Sequence, residues 1–237
     1  MTPRRLIGAF LGATLLIGSL AGPAHAASLG PFTAASLLGI NQASTVSTPT
    51  VLGCDNFTGT NGTTMAARAA TVAAACANQV WTANVGTWTI QTNKAASSAT
   101  ASAVATENTA TANSTVQVVL TALNTSGRSG GVVLSHDGTS TYLAAVLIDG
   151  APNRAELRIV VSGTSTLLTN VTPTIIATNT LQLSRSGSNV TVTLNGAVII
   201  STTLTAGQVT SLGVGARAGL FGGDANVRFD DFLVTSP

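Results

Sequence analysis

The sequence predicts an all-β protein, folded as a two-sheet antiparallel β-sandwich of the jelly-roll type. Short runs rich in β-branched residues recur along the chain and end at Gly, Asn, Asp or Ser, which is typical of strands. The pair Asn195-Gly196 lies between two such runs and favours a tight hairpin turn. No segment after residue 80 has helical periodicity. We therefore expect roughly ten to fourteen short strands in two layers.

The strands follow in order along the chain. They are predicted at residues 115–121, 131–135, 142–148, 156–161, 165–169, 190–194 and 197–201. A second turn, at residues 185–189, precedes the hairpin, so three consecutive strands form an antiparallel meander. The Ala-rich stretch 64–77 has two open interpretations: one or two helical turns, or a strand followed by a loop.

The charge content excludes several classes of protein. Lys and Arg number 10, Asp and Glu number 8, and together they make up 8% of the 237 residues. Segments that are disordered through charge combine low hydrophobicity with high net charge, and 45% of this chain is hydrophobic. A coiled coil needs flanking Glu and Lys, and a nucleic-acid binder needs a basic stripe; neither pattern is present.

Residues 1–26 have the pattern of a secretory signal peptide, of the Ala-rich kind typical of bacteria. Arg4 and Arg5 precede an apolar stretch, and Ala24-His25-Ala26 supplies a small-x-small cleavage site. The apolar stretch is shorter than the ~20 residues that span a bilayer. We therefore expect a secreted protein whose mature chain has no membrane span. Loss of the two arginines would leave equal numbers of basic and acidic residues.

Residues 27–50 form a Ser/Thr/Pro-rich lead-in, and one domain is expected over residues 51–237. The two cysteines, Cys54 and Cys76, are an even pair in an exported chain, which predicts a disulfide. Residues 51–54 also match a lipoprotein cleavage box superficially. Such boxes follow the apolar part of the signal directly, whereas polar residues precede this one.

Several short motifs recur in an order that resembles the concanavalin A-like lectin/glucanase superfamily, including its laminin-G-like and keto-disaccharide-hydrolase-like domains. The motifs are Asp55-Asn56-Phe57, Gly86-Thr87-Trp88-Thr89-Ile90, Gly130-Gly131-Val132-Val133-Leu134, Leu181-Gln182-Leu183-Ser184-Arg185 and Phe229-Asp230-Asp231-Phe232. The resemblance implies two curved antiparallel sheets. It also implies carbohydrate binding or hydrolysis, as one of the functions that this fold supports.

Catalysis has little support in the sequence. Glycoside hydrolysis uses two carboxylates, which glucanases of this superfamily carry as Glu-x-Asp-x-x-Glu. The chain has two glutamates, Glu107 and Glu156, and neither lies in that pattern. We therefore predict a non-catalytic carbohydrate-binding or cell-surface interaction module. The alternatives are an enzyme of the keto-disaccharide-hydrolase kind and a structural surface protein without a small ligand.

The predicted partner is a glycan or cell-surface polysaccharide, which an aromatic ring and polar groups would bind. Tyr142 closely follows His136 and Asp137, so these three are expected to rim one concave site, and Trp81 is a further exposed candidate. Turn formation is the alternative role for Asp137. Trp88, Phe57 and Phe232 are expected in the core.

The only cofactor suggested is a structural calcium ion. Strict alternation along the closing strand would place Asp230 on the side of Phe232 and Val234, facing the core. Asp55 is its expected neighbour, because first and last strands often pair in jelly rolls. Carboxylates are calcium ligands. The alternative is that Asp230 bonds an arginine or a backbone amide. Phosphate loops, dinucleotide fingerprints and zinc spacings are missing from the sequence.

Overall fold

The computed structural model describes residues 48–66, 68–69, 76, 79–98 and 102–237. The predicted signal peptide and the lead-in up to residue 47 lie outside the described residues. So does much of 64–77, where Thr64 bridges to Thr89 and Ala69 bridges to Val80. Within the described residues, no helix is long and apolar enough to cross a membrane.

The described chain forms fifteen strands and one short helix. They are β1 (Val51–Asp55), β2 (Thr82–Val85), β3 (Trp88–Ile90), β4 (Ala95–Ser97), β5 (Ala103–Asn108), β6 (Thr115–Thr121), β7 (Ser129–His136), β8 (Tyr142–Ile148), β9 (Arg154–Val161), β10 (Thr164–Val171), β11 (Thr178–Ser186), β12 (Asn189–Leu194), β13 (Ala197–Thr203), α1 (Ala206–Leu212), β14 (Arg217–Gly222) and β15 (Arg228–Thr235).

These strands make two antiparallel sheets, which confirms the predicted all-β sandwich. The eight-stranded sheet has the order β13-β12-β11-β6-β15-β4-β3, with β1 also paired to β15. The seven-stranded sheet has the order β10-β9-β8-β7-β14-β5-β2. The hydrophobic core lies between them, because alternate residues of both sheets point inward.

The hairpin and the meander are confirmed. β12 pairs with β13, and Asn195 and Gly196 between them have φ of 51° and 84°. Positive φ at both turn centres is the geometry that Asn-Gly favours. β11 pairs with β12, which completes the three-strand meander.

One short helix, α1, follows residue 80, although the sequence there has no helical periodicity. α1 has seven residues, and its first turn is closed by a capping box in which Thr205 and Gln208 bond each other's backbone amides. Only Leu212 of this helix is buried. Two turns with a single buried residue show no periodic apolar stripe. The fifteen strands also exceed the predicted number.

The aromatic core is confirmed for Trp88, Phe57 and Phe232, each at most 1% exposed. The expectation that Trp81 is exposed is wrong, because Trp81 is also 1% exposed. Its ring packs between Phe57 and Phe232, with centroid distances of 5.6 and 4.9 Å. The indole N–H donates to Oδ2 of Asp55 at 2.9 Å, so burial leaves its one polar atom satisfied.

The disulfide is confirmed. Cys54 and Cys76 are bonded to each other, with their Cα atoms 5.4 Å apart. A lipid-modified Cys54 would need a free thiol, so the bond excludes the lipoprotein interpretation of residues 51–54. The bridge ties β1 to the segment that precedes β2.

The predicted alternation along the closing strand fails at one residue. Asp231 has φ of 47°, and the pairing of β15 with β6 shifts between Asp230 and Leu233. This bulge lets Phe229 and Phe232 both face the core, although they are three residues apart. Asp230 therefore points to the outer surface, where it pairs with Lys94.

Candidate functional site

The candidate site is the outer face of the seven-stranded sheet. β8 is buried along almost its whole length, because Leu143, Ala145 and Leu147 face the core while Tyr142 and Val146 face outward into a second apolar cluster. That second cluster comprises Val104, Val133, Tyr142, Ala144, Val146 and Val160, with Ile148 and Phe221 packed against it. Antiparallel sheets commonly have one solvated polar face, so an apolar outer face is unusual, and the six residues of this cluster are each at most 8% exposed.

A groove of about 380 Å³ runs over this face. It is lined by Ser102, Ser129, Tyr142, Ala144, Val146, Ile148, Arg158, Val160, Gly163, Ser165, Phe221 and Gly223. The lining therefore combines two aromatic rings, a band of aliphatic side chains, hydroxyl groups and one charged residue. That volume lies in the range of small-molecule sites.

Glycine at position 131 is required by the close approach of β7 to β8. A Cβ atom there would lie 2.0 Å from the carbonyl oxygen of Ala145, which is backbone and cannot move aside. Gly131 lies opposite Val146 on one side and Phe221 on the other, so the position between these two side chains carries none of its own.

The charged residue of the groove is held in place by its neighbours. Nε of Arg158 donates to Oε2 of Glu156 at 2.7 Å, and Nη2 forms an ion pair with the same oxygen at 2.5 Å. Nη1 donates to the Ser165 hydroxyl at 3.3 Å. Glu156 is 3% exposed, and its other oxygen lies 3.5 Å from Nε of Arg154. Three charged side chains at alternate positions of β9 therefore share the groove face.

His136 and Tyr142 lie against each other, and Tyr142 lines the groove whereas His136 is fully buried. Their rings stack with centroids 5.1 Å apart and planes 13° from parallel. Nδ1 of His136 accepts a hydrogen bond from the amide of Gly138, and Nε2 has no partner among the described residues. Burial lowers the pKa of His136 to about 4, so the ring is neutral at pH 7.

Asp137 closes the loop beside this pair. Its carboxylate accepts hydrogen bonds from the backbone amides of Thr139 and Thr141 and from the Thr139 hydroxyl. Partial burial acts to raise the pKa of Asp137, but these hydrogen bonds outweigh it and hold the pKa at about 2. Its contacts are therefore those of a turn former, which was the alternative role. A role in ligand binding for Asp137, His136 or Tyr142 stays a prediction.

Trp81 lies away from the groove, in the core. Asp55 and Asp230, the predicted calcium ligands, are not brought together either. Asp55 is 1% exposed; it accepts hydrogen bonds from the Phe57 amide and the Trp81 indole and forms an ion pair with Arg68. Asp230 instead forms an ion pair with Lys94 on the outer surface. In the described part of the chain, no group of three or more His, Cys, Asp or Glu side chains could hold a metal ion.

Two features were missed in the sequence. Arg158 had a detectable signal, because Arg154, Glu156 and Arg158 alternate along one strand and must share a face. Glu107 had none. It is fully buried between the sheets, neither carboxyl oxygen has a partner among the described residues, and burial together with the negative charge of Asp55 raises its pKa to about 8.

No protein-family model and no curated protein sequence matches the chain. The fold is similar to the carbohydrate-binding module CBM66 from Bacillus subtilis, with a TM-score of 0.55 and 15% identity, covering 66% of this chain and 95% of that module. It is also similar to the CBM2 module of the evolved Dit of Lactobacillus casei BL23 phage J-1, with a TM-score of 0.50 and 10% identity, covering 79% of this chain and 95% of that module.

A further match is the exoplasmic/lumenal domain of VIP36 in its Ca²⁺-bound form, with a TM-score of 0.48 and 11% identity, covering 73% of this chain and 90% of that one. At such identities a structural likeness shows a shared fold and leaves function open. The likeness to the two carbohydrate-binding modules therefore shows a β-sandwich fold shared with them.

Proposed function

We propose that this chain is a secreted, non-catalytic carbohydrate-binding module that holds a glycan in the groove of the seven-stranded sheet. The observation that carries the proposal is the pairing of an apolar floor with a fixed polar group. Tyr142, Phe221 and Val146 offer apolar contact, and Arg158 offers N–H donors held in place by Glu156. Sugars have apolar ring faces and hydroxyl edges, so they need both kinds of contact.

The placement of the two glutamates supports binding without catalysis. Glu107 lies between the sheets, on the side of β5 away from the groove. Glu156 forms ion pairs with Arg154 and Arg158. A glycosidase needs two carboxyl groups that face the same bond. Secretion is supported by the signal-peptide pattern and by the disulfide, which is typical of exported proteins.

Affinity electrophoresis of the purified protein in gels that contain soluble polysaccharides tests the proposal. We expect retardation by at least one polysaccharide, and loss of that retardation in Phe221→Ala and Tyr142→Ala. Tyr142 is only 8% exposed, so Tyr142→Phe is included as a conservative variant that keeps the ring. Val198→Ala is the matched control, because Val198 is 63% exposed on β13 of the other sheet.

Two results would refute the proposal. Migration unchanged in every gel would favour a structural surface protein without a small ligand. Retardation that survives both groove variants, while their circular dichroism spectra remain native, would place the binding site elsewhere on the molecule.

A further inference from the structure

Some N–H donors of the Arg158 guanidinium are not used by Glu156 or Ser165, and their number and arrangement suit a particular ligand group. A guanidinium carries five N–H donors and no acceptor. Oε2 of Glu156 accepts one from Nε and forms an ion pair with Nη2, and the Ser165 hydroxyl accepts one from Nη1. At least one N–H therefore remains on each terminal nitrogen. Two adjacent donors on one planar group match the two oxygens of a carboxylate.

The charge around Arg158 also suits an anion. Glu156 faces both Arg158 and Arg154, so two guanidinium groups share one carboxylate and this edge of the groove is net positive. Arg158 is the one charged residue in the groove lining, and its side chain is 37% exposed. An incoming carboxylate would therefore meet two guanidinium groups that share a single carboxylate, and charge-assisted hydrogen bonds are stronger than neutral ones.

The distance from Arg158 to the aromatic end of the groove fits one sugar unit. Arg158 lies opposite Ala144, and Val160 lies opposite Tyr142, which is two residues away along β8. Two residues of a strand span roughly 7 Å. A sugar ring against Tyr142 would therefore place a substituent of that ring within reach of Arg158.

The geometry points to an acidic glycan as the ligand of the groove, with a uronate carboxylate bound by Arg158. This inference rests on the proposed carbohydrate-binding function and narrows it to one class of sugar. The Arg158 side chain would act as the specificity-determining group, while Tyr142 and Phe221 would contact any sugar, acidic or neutral.

Isothermal titration with matched pairs of polymers tests the inference. Polygalacturonate and alginate are each compared with their carboxyl-reduced forms, which keep the chain and lose the charge. We expect the acidic form of at least one pair to bind about tenfold more tightly than its reduced form, an advantage that falls as salt is added.

Variants of β9 separate the effect of the paired N–H donors of Arg158 from the effect of its positive charge. Arg158→Gln is expected to abolish the preference for the acidic form, and Arg158→Lys to keep only part of it, because lysine has no planar pair of donors. Arg154→Gln removes the same charge from the same strand but lies outside the groove lining, so it should change affinity less than about threefold.

Arg158→Gln leaves Glu156 with one partner fewer and could unfold the domain. The double variant Glu156→Gln/Arg158→Gln avoids this, since it replaces the ion pair with two neutral amides, and it should lose the preference equally. Equal binding of acidic and reduced polymers by the wild type, or an unchanged preference in both variants, overturns the inference and leaves the proposed function standing. No binding to any polymer in either form overturns both.

Discussion

Replacing Glu107 by glutamine is expected to remove a pH dependence of stability that the wild-type fold carries. The carboxyl group is fully buried between the sheets without a hydrogen-bond partner among the described residues. It also packs against the backbone of β1, since a Cβ on Gly53 would lie 2.6 Å from Oε2. Desolvation, and secondarily the negative Asp55, raise its pKa from the ordinary 4.5 to about 8.

The sign of the effect follows from proton binding. The folded state keeps a proton on Glu107 at pH values where the unfolded chain has released it. Stability from this group is therefore complete below pH 4.5 and is lost as the pH rises through about 8. Each pH unit in that window is worth about 1.4 kcal/mol, so we expect a loss of about 2 kcal/mol between pH 6.5 and pH 8.

The window above pH 6.5 is chosen because of His136. Its pKa is lowered from 6.5 to about 4, so it removes stability as the pH falls below 6.5 and partly cancels the effect of Glu107 there. Urea unfolding followed by tryptophan fluorescence is a suitable assay, because Trp81 and Trp88 are both buried and report the same core.

Glu107→Gln keeps the shape of the side chain and cannot ionise, so its free energy of unfolding should be nearly level between pH 6.5 and pH 8. Glu107→Met removes the buried polar atoms as well and should exceed the wild type at pH 8. If wild type and Glu107→Gln lose stability in parallel over this range, Glu107 does not hold its proton in the folded state and the argument is wrong.

Three further predictions concern stability. In the Glu107→Gln background, where the opposing effect is absent, His136→Phe should abolish the loss of stability between pH 6.5 and pH 4; an unchanged acid limb of the profile would contradict the lowered pKa of His136. Reduction of the Cys54–Cys76 bond should lower the free energy of unfolding by about 3 kcal/mol, checked by urea midpoints with and without reductant. Gly131→Ala should destabilise by about 3 kcal/mol in thermal unfolding, whereas Gly150→Ala, whose Cβ would meet nothing closer than 3.5 Å, should change little; equal effects would refute the close approach.

The strands and their order could be predicted because their signals are local. Residues 115–121 and 142–148 coincide with β6 and β8, since apolar alternation and turn residues bound them on both sides. The bulge at Asp231 has no comparable local signal. One residue with positive φ reverses the faces of all residues before it, so the orientation predicted for Asp230 was wrong.

The groove could be predicted only in part. Nearness in sequence placed His136 beside Tyr142, and their rings do stack. Phe221 and Arg158 join them through pairings of β14 with β7 and of β9 with β8, which no short motif encodes. The exposure of Trp81 was misjudged because its partner Asp55 lies 26 residues earlier in the chain, beyond any local pattern.

The two outer faces of the sandwich differ in how they meet water, and this difference supports the choice of site. The outer face of the eight-stranded sheet carries half-buried hydroxyl and amide side chains, such as Thr191, Gln182 and Gln117, at alternate positions of β12, β11 and β6. With so few charges in the chain, these groups keep that face hydrated. On the seven-stranded sheet the matching positions of β8 are apolar, although the same alternation could have placed threonine there. The outer side of β8 is therefore lined by apolar side chains, of which Tyr142, Ala144 and Val146 are at most 8% exposed, and the partly exposed Phe221 and Arg158 lie beside them.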